Sequence, residues 1–289
     1  MDSTTRLAQR QQPVWRTHPG RVAGVQFLNY PDLRFELLGS ALAKLDWLNY
    51  FDVTDTALSG TIPRELGGLA ELQTLLLYDN PSLSGSIPSE LGDLTALGAL
   101  QLYSNPSLSG SIPSVLGSLM ALQFMCMHSD PALSGTIPRQ LGGLSVLTEL
   151  LLYENPALSG SIPSALGDLT ELQKLDLHSN LALSGSVPSL TGCRRFEVLD
   201  LHNCSLTALP ASLRGSITHL YLNHNPIDTN SANLSSLLGS VSALHVLDAG
   251  FINFKVQLQY VVGGGSDGTV VTNPGSCHTG AQCVFVLAM

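Results

Sequence analysis

Leu72-Gln-Thr-Leu75-Leu-Leu77-Tyr-Asp-Asn80-Pro-Ser-Leu83-Ser-Gly-Ser-Ile-Pro88 contains both of the repeated patterns that predict the fold. Its last six residues, Leu-Ser-Gly followed by Ser or Thr, Ile or Val, and Pro, occur six times between residues 58 and 188 at a constant period of 25 residues. A fixed period of this length indicates stacked units, none of which can bury its apolar face without its neighbours. The sequence therefore predicts a solenoid.

The first part of the same stretch has the form L-x-x-L-x-L-x-x-N and also recurs along the chain. Successive side chains of a strand point to opposite faces, so Leu75 and Leu77 are predicted to point inward and Leu76 and Tyr78 outward. Stacking such strands in parallel, about 4.8 Å apart, predicts one continuous sheet with a buried apolar ladder behind it.

With L-S-G-x-I-P-x-x-L-G after each strand, the chain resembles the plant-specific subtype of leucine-rich repeat. That subtype is found in the ectodomains of receptor-like kinases and receptor-like proteins and in polygalacturonase-inhibiting proteins. The resemblance implies an α/β solenoid: a leucine-rich-repeat superhelix with a parallel concave β-sheet and a 3-10 or irregular convex wall. It also implies recognition of a ligand at a cell surface.

A polar residue ends each motif where the chain turns away from the strand. An amide there can both donate and accept, so we expect it to satisfy backbone groups that would otherwise be buried unpaired. Cysteine at this position is an exchange that the resemblance allows. The expected structural ladder comprises Asn80, Asn105, Asn155, Asn180, Cys204 and Asn225.

The repeat pattern divides the chain into three parts. Residues 1–21 are predicted to be a flexible polar leader, residues 22–254 a solenoid of about ten coils, and residues 255–289 a C-terminal cap or tail. Cys277 and Cys283 are close enough in sequence for a loop-closing disulfide, and two free thiols are the alternative.

Composition excludes some classes of function. Of 289 residues 44% are hydrophobic and 12% charged, and the net charge is −9, which argues against nucleic-acid binding. No stretch approaches the roughly 18 apolar residues of a membrane span. The first residues lack the apolar core of a secretory signal, which indicates the cytoplasm, whereas the resemblance implies an extracellular or cell-surface location. The compartment stays open.

The residues that follow the third apolar position of each motif are predicted to form an outward column on the concave sheet. Tyrosine is common there, and it offers a large contact area, a polar tip and little entropy to lose on binding. An acidic, aromatic face suits a basic peptide or protein, and sugar rings stacked on tyrosine are the alternative ligand. The candidate ligand-binding residues are Tyr78, Tyr103, His128, Tyr153, His178 and His202, with the carboxylates Asp79, Glu154, Asp176 and Asp200 beside them.

No catalytic, metal or cofactor site is expected. The glycine-rich segment 263–268 matches nucleotide-binding and nucleophile motifs, but the residues after it predict a strand and a turn, whereas both mechanisms need a helix there. Zinc takes three or four ligands in a tetrahedron, whereas a column of histidines on a flat sheet presents only a row.

The sequence thus predicts a non-enzymatic protein that binds a protein or peptide on its concave face. Two alternatives are an inhibitor of a hydrolase and a structural scaffold whose tyrosines were copied by duplication without selection for a ligand. The partner, the oligomeric state and whether the chain is a fragment of a larger receptor are left open.

Overall fold

The structure is a computed structural model. It describes residues 14–18, 21–27, 34–35, 44–210, 212–213, 216–229, 237, 240, 243–249, 253–254 and 284–286. Its main element is a sheet of twelve strands. Leu75 and Leu77 are fully buried, which confirms the predicted alternation. We call this twelve-stranded sheet the concave sheet. Its parallel strands are Arg21–Phe27, Tyr50–Val53, Thr74–Leu76, Ala99–Gln101, Phe124–Cys126, Glu149–Leu151, Lys174–Asp176, Val198–Asp200, His219–Tyr221 and Val246–Asp248.

Antiparallel strands cover both ends of the concave sheet. Val14–His18 pairs with Arg21–Phe27, and Val284–Val286 pairs with Val246–Asp248. The first of these strands falls within the polar leader expected from the sequence. It pairs because the free backbone groups of an edge strand accept another strand with little regard to side chains. Cys277 and Cys283 lie outside the described residues.

The Leu-Ser-Gly segments form a second parallel sheet, which the sequence analysis missed. Gly85 has a φ of +78°, a left-handed conformation that glycine adopts without a steric penalty. The Ser84 hydroxyl donates to the carbonyl of Gly60 in the preceding coil at 3.2 Å, and later coils repeat this bond. The strands are Gly60–Thr61, Leu83–Ser86, Ser107–Ser111, Leu133–Thr136, Leu158–Ser161, Leu183–Ser186 and Ser205–Ala208, and a separate two-stranded sheet joins Asp228–Thr229 to Asn253–Phe254.

Short 3-10 helices form the convex wall of the regular coils, each preceded by a proline that presets its own φ. Consecutive helices approach closely at a glycine: a Cβ on Gly117 would lie 2.2 Å from the carbonyl oxygen of Gln140. The leucine before each such glycine is buried in the continuous core. The helices are Arg64–Gly68, Ser89–Asp93, Ser114–Ser118, Arg139–Gly143 and Ser164–Asp168.

Buried amides connect one coil to the next. The Asn155 side chain donates to the carbonyls of Leu152 at 2.8 Å and Met127 at 2.7 Å. Its Oδ1 accepts the backbone N–H of Asp130, in the preceding coil, at 2.9 Å. Asn80, Asn105 and Asn180 are equally buried and bond to the corresponding carbonyls, while Asn225 repeats the pattern further along.

Asp130 occupies the same ladder, although it was not predicted as a member. Its Oδ1 accepts the backbone N–H of Asn105 at 2.6 Å, but its Oδ2 is buried and has no hydrogen-bond partner among the described residues. In the next coil, the amide nitrogen of Asn155 stands at the position of Oδ2 and donates to two carbonyls. The equivalent carbonyls for Asp130 are those of Leu102 and Met127. Burial accordingly raises the pKa of the Asp130 carboxyl from 3.8 to about 8.

We predict that Asp130→Asn stabilises the solenoid at neutral pH. The folded chain keeps the Asp130 proton where the unfolded chain releases it, so this stability is present below about pH 4 and is lost as the pH rises toward about 8. The asparagine variant should lack this loss, which is at most about 1.4 kcal/mol per pH unit. Urea unfolding of both proteins at pH 5, 6.5 and 8 measures the difference.

The reverse substitution, Asn155→Asp, provides the matched control. It places a second carboxylate in the same buried position and should add a second loss of stability over the same pH range. Identical pH profiles for the parent and the Asp130→Asn variant would contradict the prediction.

Candidate functional site

The predicted outward column lies along the concave sheet, one residue beyond the end of each inward leucine pair. The backbone turns at the following residue, which has a φ between +52° and +58° in every coil from Asp55 to His224. This turn gives the column residues the same orientation in successive coils. The column comprises Thr54, Tyr78, Tyr103, His128, Tyr153, His178, His202 and Asn223.

Six consecutive members of this column form one continuous stack of aromatic rings, which we call the ring stack. Neighbouring ring centroids are 4.0 to 4.5 Å apart, and neighbouring ring planes differ by 6° to 12°. All six side chains are half-buried, because each inner ring has a neighbour on both faces. The ring stack is Tyr78, Tyr103, His128, Tyr153, His178 and His202.

Stacking changes what these residues offer to a ligand. Both faces of Tyr103, His128, Tyr153 and His178 are covered by neighbouring rings. A sugar ring therefore cannot stack on the faces of these four rings. The solvent meets ring edges, whose hydroxyl and nitrogen atoms form hydrogen bonds, as between the Tyr153 hydroxyl and His128 Nε2 at 3.1 Å.

Burial within the stack also sets the protonation of its members. Burial lowers the pKa of His128 to about 4, so this imidazole is neutral at pH 7. Burial also raises the pKa values of the Tyr103 and Tyr153 hydroxyls, and nearby negative groups raise them further. Burial alone would lower the pKa of His178, but its hydrogen bond to Asp176 and the surrounding carboxylates raise it above its usual value.

Two of the predicted carboxylates contact the ring stack directly. His178 Nδ1 lies 2.6 Å from Asp176 Oδ1, and His202 Nδ1 lies 2.7 Å from Asp200 Oδ1. Asp200 also reaches back toward the previous coil, since its Oδ2 is 4.0 Å from His178 Nδ1. Lys174 pairs with Asp176 at 3.5 Å.

The other two predicted carboxylates lie at the edge of the column and are exposed. Asp79 and Glu154 occupy the left-handed turn positions, and Glu154 accepts a hydrogen bond from the Ser129 hydroxyl at 2.7 Å. The four predicted carboxylates therefore do not form one cluster, because only Asp176 and Asp200 stand in adjacent coils on strand positions.

The sequence analysis missed an apolar patch in the middle of the concave face. Phe124 is 37% exposed, and Leu151 on the adjacent strand is partly exposed, as is Leu76 two strands away. The outward positions within the strands, two and four residues before the aromatic column, carry this signal. Cys126 also stands at such a position but is buried, and burial raises the pKa of its thiol to about 11.

An open groove of about 960 Å³ lies elsewhere, where the second sheet meets the 3-10 helices. Serine, threonine, isoleucine and proline of successive coils line it, including Thr136, Pro138 and Ser161. Its isoleucines are almost fully buried. The groove brings no convergent set of titratable side chains together, so the ring stack and its carboxylates are the better candidate site.

We predict that Tyr153→Ala destabilises the protein and Tyr153→Phe does not. The Tyr153 ring stacks on His128 at 4.0 Å and His178 at 4.5 Å, and each aromatic pair contributes about 0.5–1.5 kcal/mol. Alanine should therefore cost about 1–3 kcal/mol, while phenylalanine keeps both contacts and loses one half-exposed hydrogen bond. Urea unfolding measures both values, and equal costs for the two variants would disprove stacking as the cause.

Comparison with known proteins agrees with this architecture. The sequence profile described as a leucine-rich repeat region matches residues 36–268. A search of curated protein sequences gave no significant match. None of the described helices is both long and apolar enough to cross a membrane.

Among solved structures, the chain is similar to the ectodomain of the Arabidopsis thaliana receptor kinase GASSHO1/SCHENGEN3 in complex with CASPARIAN STRIP INTEGRITY FACTOR 2. The identity is 32% over 78% of this chain and 25% of that one, with a TM-score of 0.59. The PEPR1–AtPEP1 structure has 26% identity over 81% of this chain and 36% of that one, with a TM-score of 0.60.

A third similar structure is the Arabidopsis receptor kinase HAESA in complex with the peptide hormone IDA and the co-receptor SERK1. It has 29% identity over 66% of this chain and 38% of that one, with a TM-score of 0.50. The chain thus spans between 25% and 38% of the length of these three proteins. On its repeats, its two parallel sheets and the extent of the profile match, the chain belongs to the leucine-rich-repeat family, with the plant-type repeat of receptor-kinase ectodomains.

Proposed function

We propose that this protein binds an extended, basic peptide or protein segment along its concave sheet, without catalysing a reaction. The observation that carries the proposal is the charge of that face. Among the described strands from Tyr50–Val53 to Val246–Asp248, Lys174 is the one basic residue other than histidine, and it is already paired with Asp176. The carboxylates on the strands and their flanking positions are Asp52, Asp55, Asp79, Glu149, Glu154, Asp176, Glu197, Asp200 and Asp248.

The distribution of these groups favours an extended ligand. The strands repeat in exact register, as with Glu149, Lys174 and Val198, so equivalent side chains recur once per coil. A ligand that lies across the strands would meet exposed carboxylates at several coils and the apolar patch around Phe124 between them. Complementary charge accelerates association and selects the orientation of the bound partner.

The ring stack supports binding by hydrogen bonds rather than by aromatic contact. Its rings are held in place by their neighbours, so little side-chain entropy is lost when a ligand contacts their edges. The covered ring faces leave the carbohydrate alternative with less support than a peptide.

The structural neighbours support the same class of ligand. GASSHO1/SCHENGEN3 and HAESA were solved with CASPARIAN STRIP INTEGRITY FACTOR 2 and the peptide hormone IDA respectively, and both are receptor kinases. A receptor-type role at a cell surface is accordingly part of the proposal.

Selection from a phage-displayed library of random linear peptides tests the proposal. We expect selected peptides to be enriched in lysine and arginine and to bind less tightly as salt rises. The variant Asp79→Asn/Glu149→Gln/Glu154→Gln should weaken binding of a selected peptide about ten-fold or more, because it removes three carboxylates facing the ligand. Isothermal titration calorimetry measures the affinities.

The matched control removes three exposed carboxylates from the convex wall: Glu65→Gln/Asp93→Asn/Asp168→Asn. It makes the same change in net charge and should leave the affinity within about two-fold, since these groups lie far from the peptide. Equal effects of the two triple variants, or selected peptides without basic residues, would refute the proposal. Stoichiometric inhibition of a polygalacturonase by the parent and the control alike would favour the inhibitor alternative.

A further inference from the structure

A cluster of two histidines and one aspartate lies at the C-terminal end of the ring stack. We propose that His178, His202 and Asp200 form a binding site for a divalent transition-metal ion of the zinc type. One potential ligand atom from each of the three residues lies within 4.8 Å of the others, and all three side chains are partly buried. This inference does not depend on the proposed peptide ligand.

The cluster arises because one triplet is repeated in two adjacent coils. Asp176-Leu177-His178 and Asp200-Leu201-His202 are in register, with Asp176 beside Asp200. The corresponding triplets of the preceding coils are Gln-Leu-Tyr, Cys-Met-His and Leu-Leu-Tyr, so they do not combine an acidic residue with histidine. Among the described residues, this pair of coils brings two imidazoles and two carboxylates together on the concave sheet.

Asp200 connects the two histidines. Its Oδ1 accepts a hydrogen bond at 2.7 Å from His202 Nδ1, and its Oδ2 faces His178 Nδ1 at 4.0 Å. His202 Nδ1 therefore points toward Asp200, while His178 Nδ1 lies near the same carboxylate although its own hydrogen bond goes to Asp176. Asp176 is not counted among the ligands, because it accepts a hydrogen bond from His178 Nδ1 and forms an ion pair with Lys174.

Two imidazole nitrogens and one carboxylate oxygen are a donor set that zinc and its neighbours in the first transition series accept. Tetrahedral zinc with bonds of about 2.0–2.1 Å needs nitrogen atoms about 3.3 Å apart. The two ring centroids are 4.4 Å apart and the ring planes differ by 10°, so both imidazoles must rotate out of the stack before their in-plane lone pairs converge on one ion. The ion would take the place of the Nδ1 hydrogen bonds to Asp176 and Asp200, and the proton of each neutral imidazole would move from Nδ1 to Nε2.

The sequence predicts no metal site, because a column of histidines presents its potential ligand atoms in a single row rather than around one point. The structure adds Asp200, which stands in the neighbouring column and turns the row into a three-sided cluster. His128 shows the contrast within the same stack, since its Nε2 contacts the Tyr153 hydroxyl and its Nδ1 contacts the Ser129 hydroxyl.

Calorimetric titration of the full chain with Zn²⁺ tests the inference, using His178→Phe, His202→Phe and Asp200→Asn. Phenylalanine keeps a ring in the stack but cannot ligate. We expect one zinc ion per chain at this site, affinity reduced at least about ten-fold in each variant, and a zinc-dependent rise in the melting temperature of the parent. Circular dichroism verifies that each variant is folded.

His219→Phe is the control. His219 is a partly buried histidine of the same sheet, but its Nδ1 contacts the Thr218 hydroxyl rather than a carboxylate, so zinc binding should persist. Titration with Co²⁺ adds a spectroscopic test: ligation by nitrogen and oxygen should give visible bands without the charge-transfer absorption of a thiolate. Absence of zinc binding, binding that the three variants leave unchanged, or a thiolate band that they do not remove would overturn the inference.

Discussion

The hydrogen bonds of the buried amide ladder are the constraint on which the rest of the structure depends. Each asparagine satisfies carbonyls of its own coil and the preceding coil, as Asn155 does for Leu152 and Met127. Without these bonds, the turn that ends every strand would bury unpaired backbone groups at a considerable cost in free energy. The ladder therefore sets both the direction of the turn and the coupling between coils. Asp130 is its one acidic member among the described residues, and it fits there best as a neutral acid.

The coil spacing that the ladder imposes also determines the character of the concave surface. Side chains that follow the same turn in successive coils are held at the distance at which aromatic rings stack. Tyr103 and Tyr153 consequently contact rings on both faces and present their edges to the solvent. The sequence predicts an aromatic surface, whereas the surface that the structure exposes is a row of hydrogen-bonding ring edges beside carboxylates.

Charge is distributed unevenly along this surface. In the middle, Phe124 and Leu151 expose apolar surface beside Glu149, whereas the coils that follow carry Asp176 and Asp200 next to histidines. The same acidic groups serve both proposals in different ways. Carboxylates at exposed positions attract a basic ligand through their charge, while Asp200 acts through its position between two imidazoles.

Sequence alone predicts the 25-residue period, the inward leucines and the outward aromatic column, because each depends on a pattern within one coil. It also identified most of the ladder, since Asn80 and its equivalents recur at one place in the motif. The packing of the coils, by contrast, stacks the column into one array, leaves Asp130 Oδ2 without a hydrogen-bond partner among the described residues, and places Asp200 near both His178 and His202. Those features depend on distances between side chains about one coil apart in sequence, which are set when the coils pack together and which no local pattern specifies.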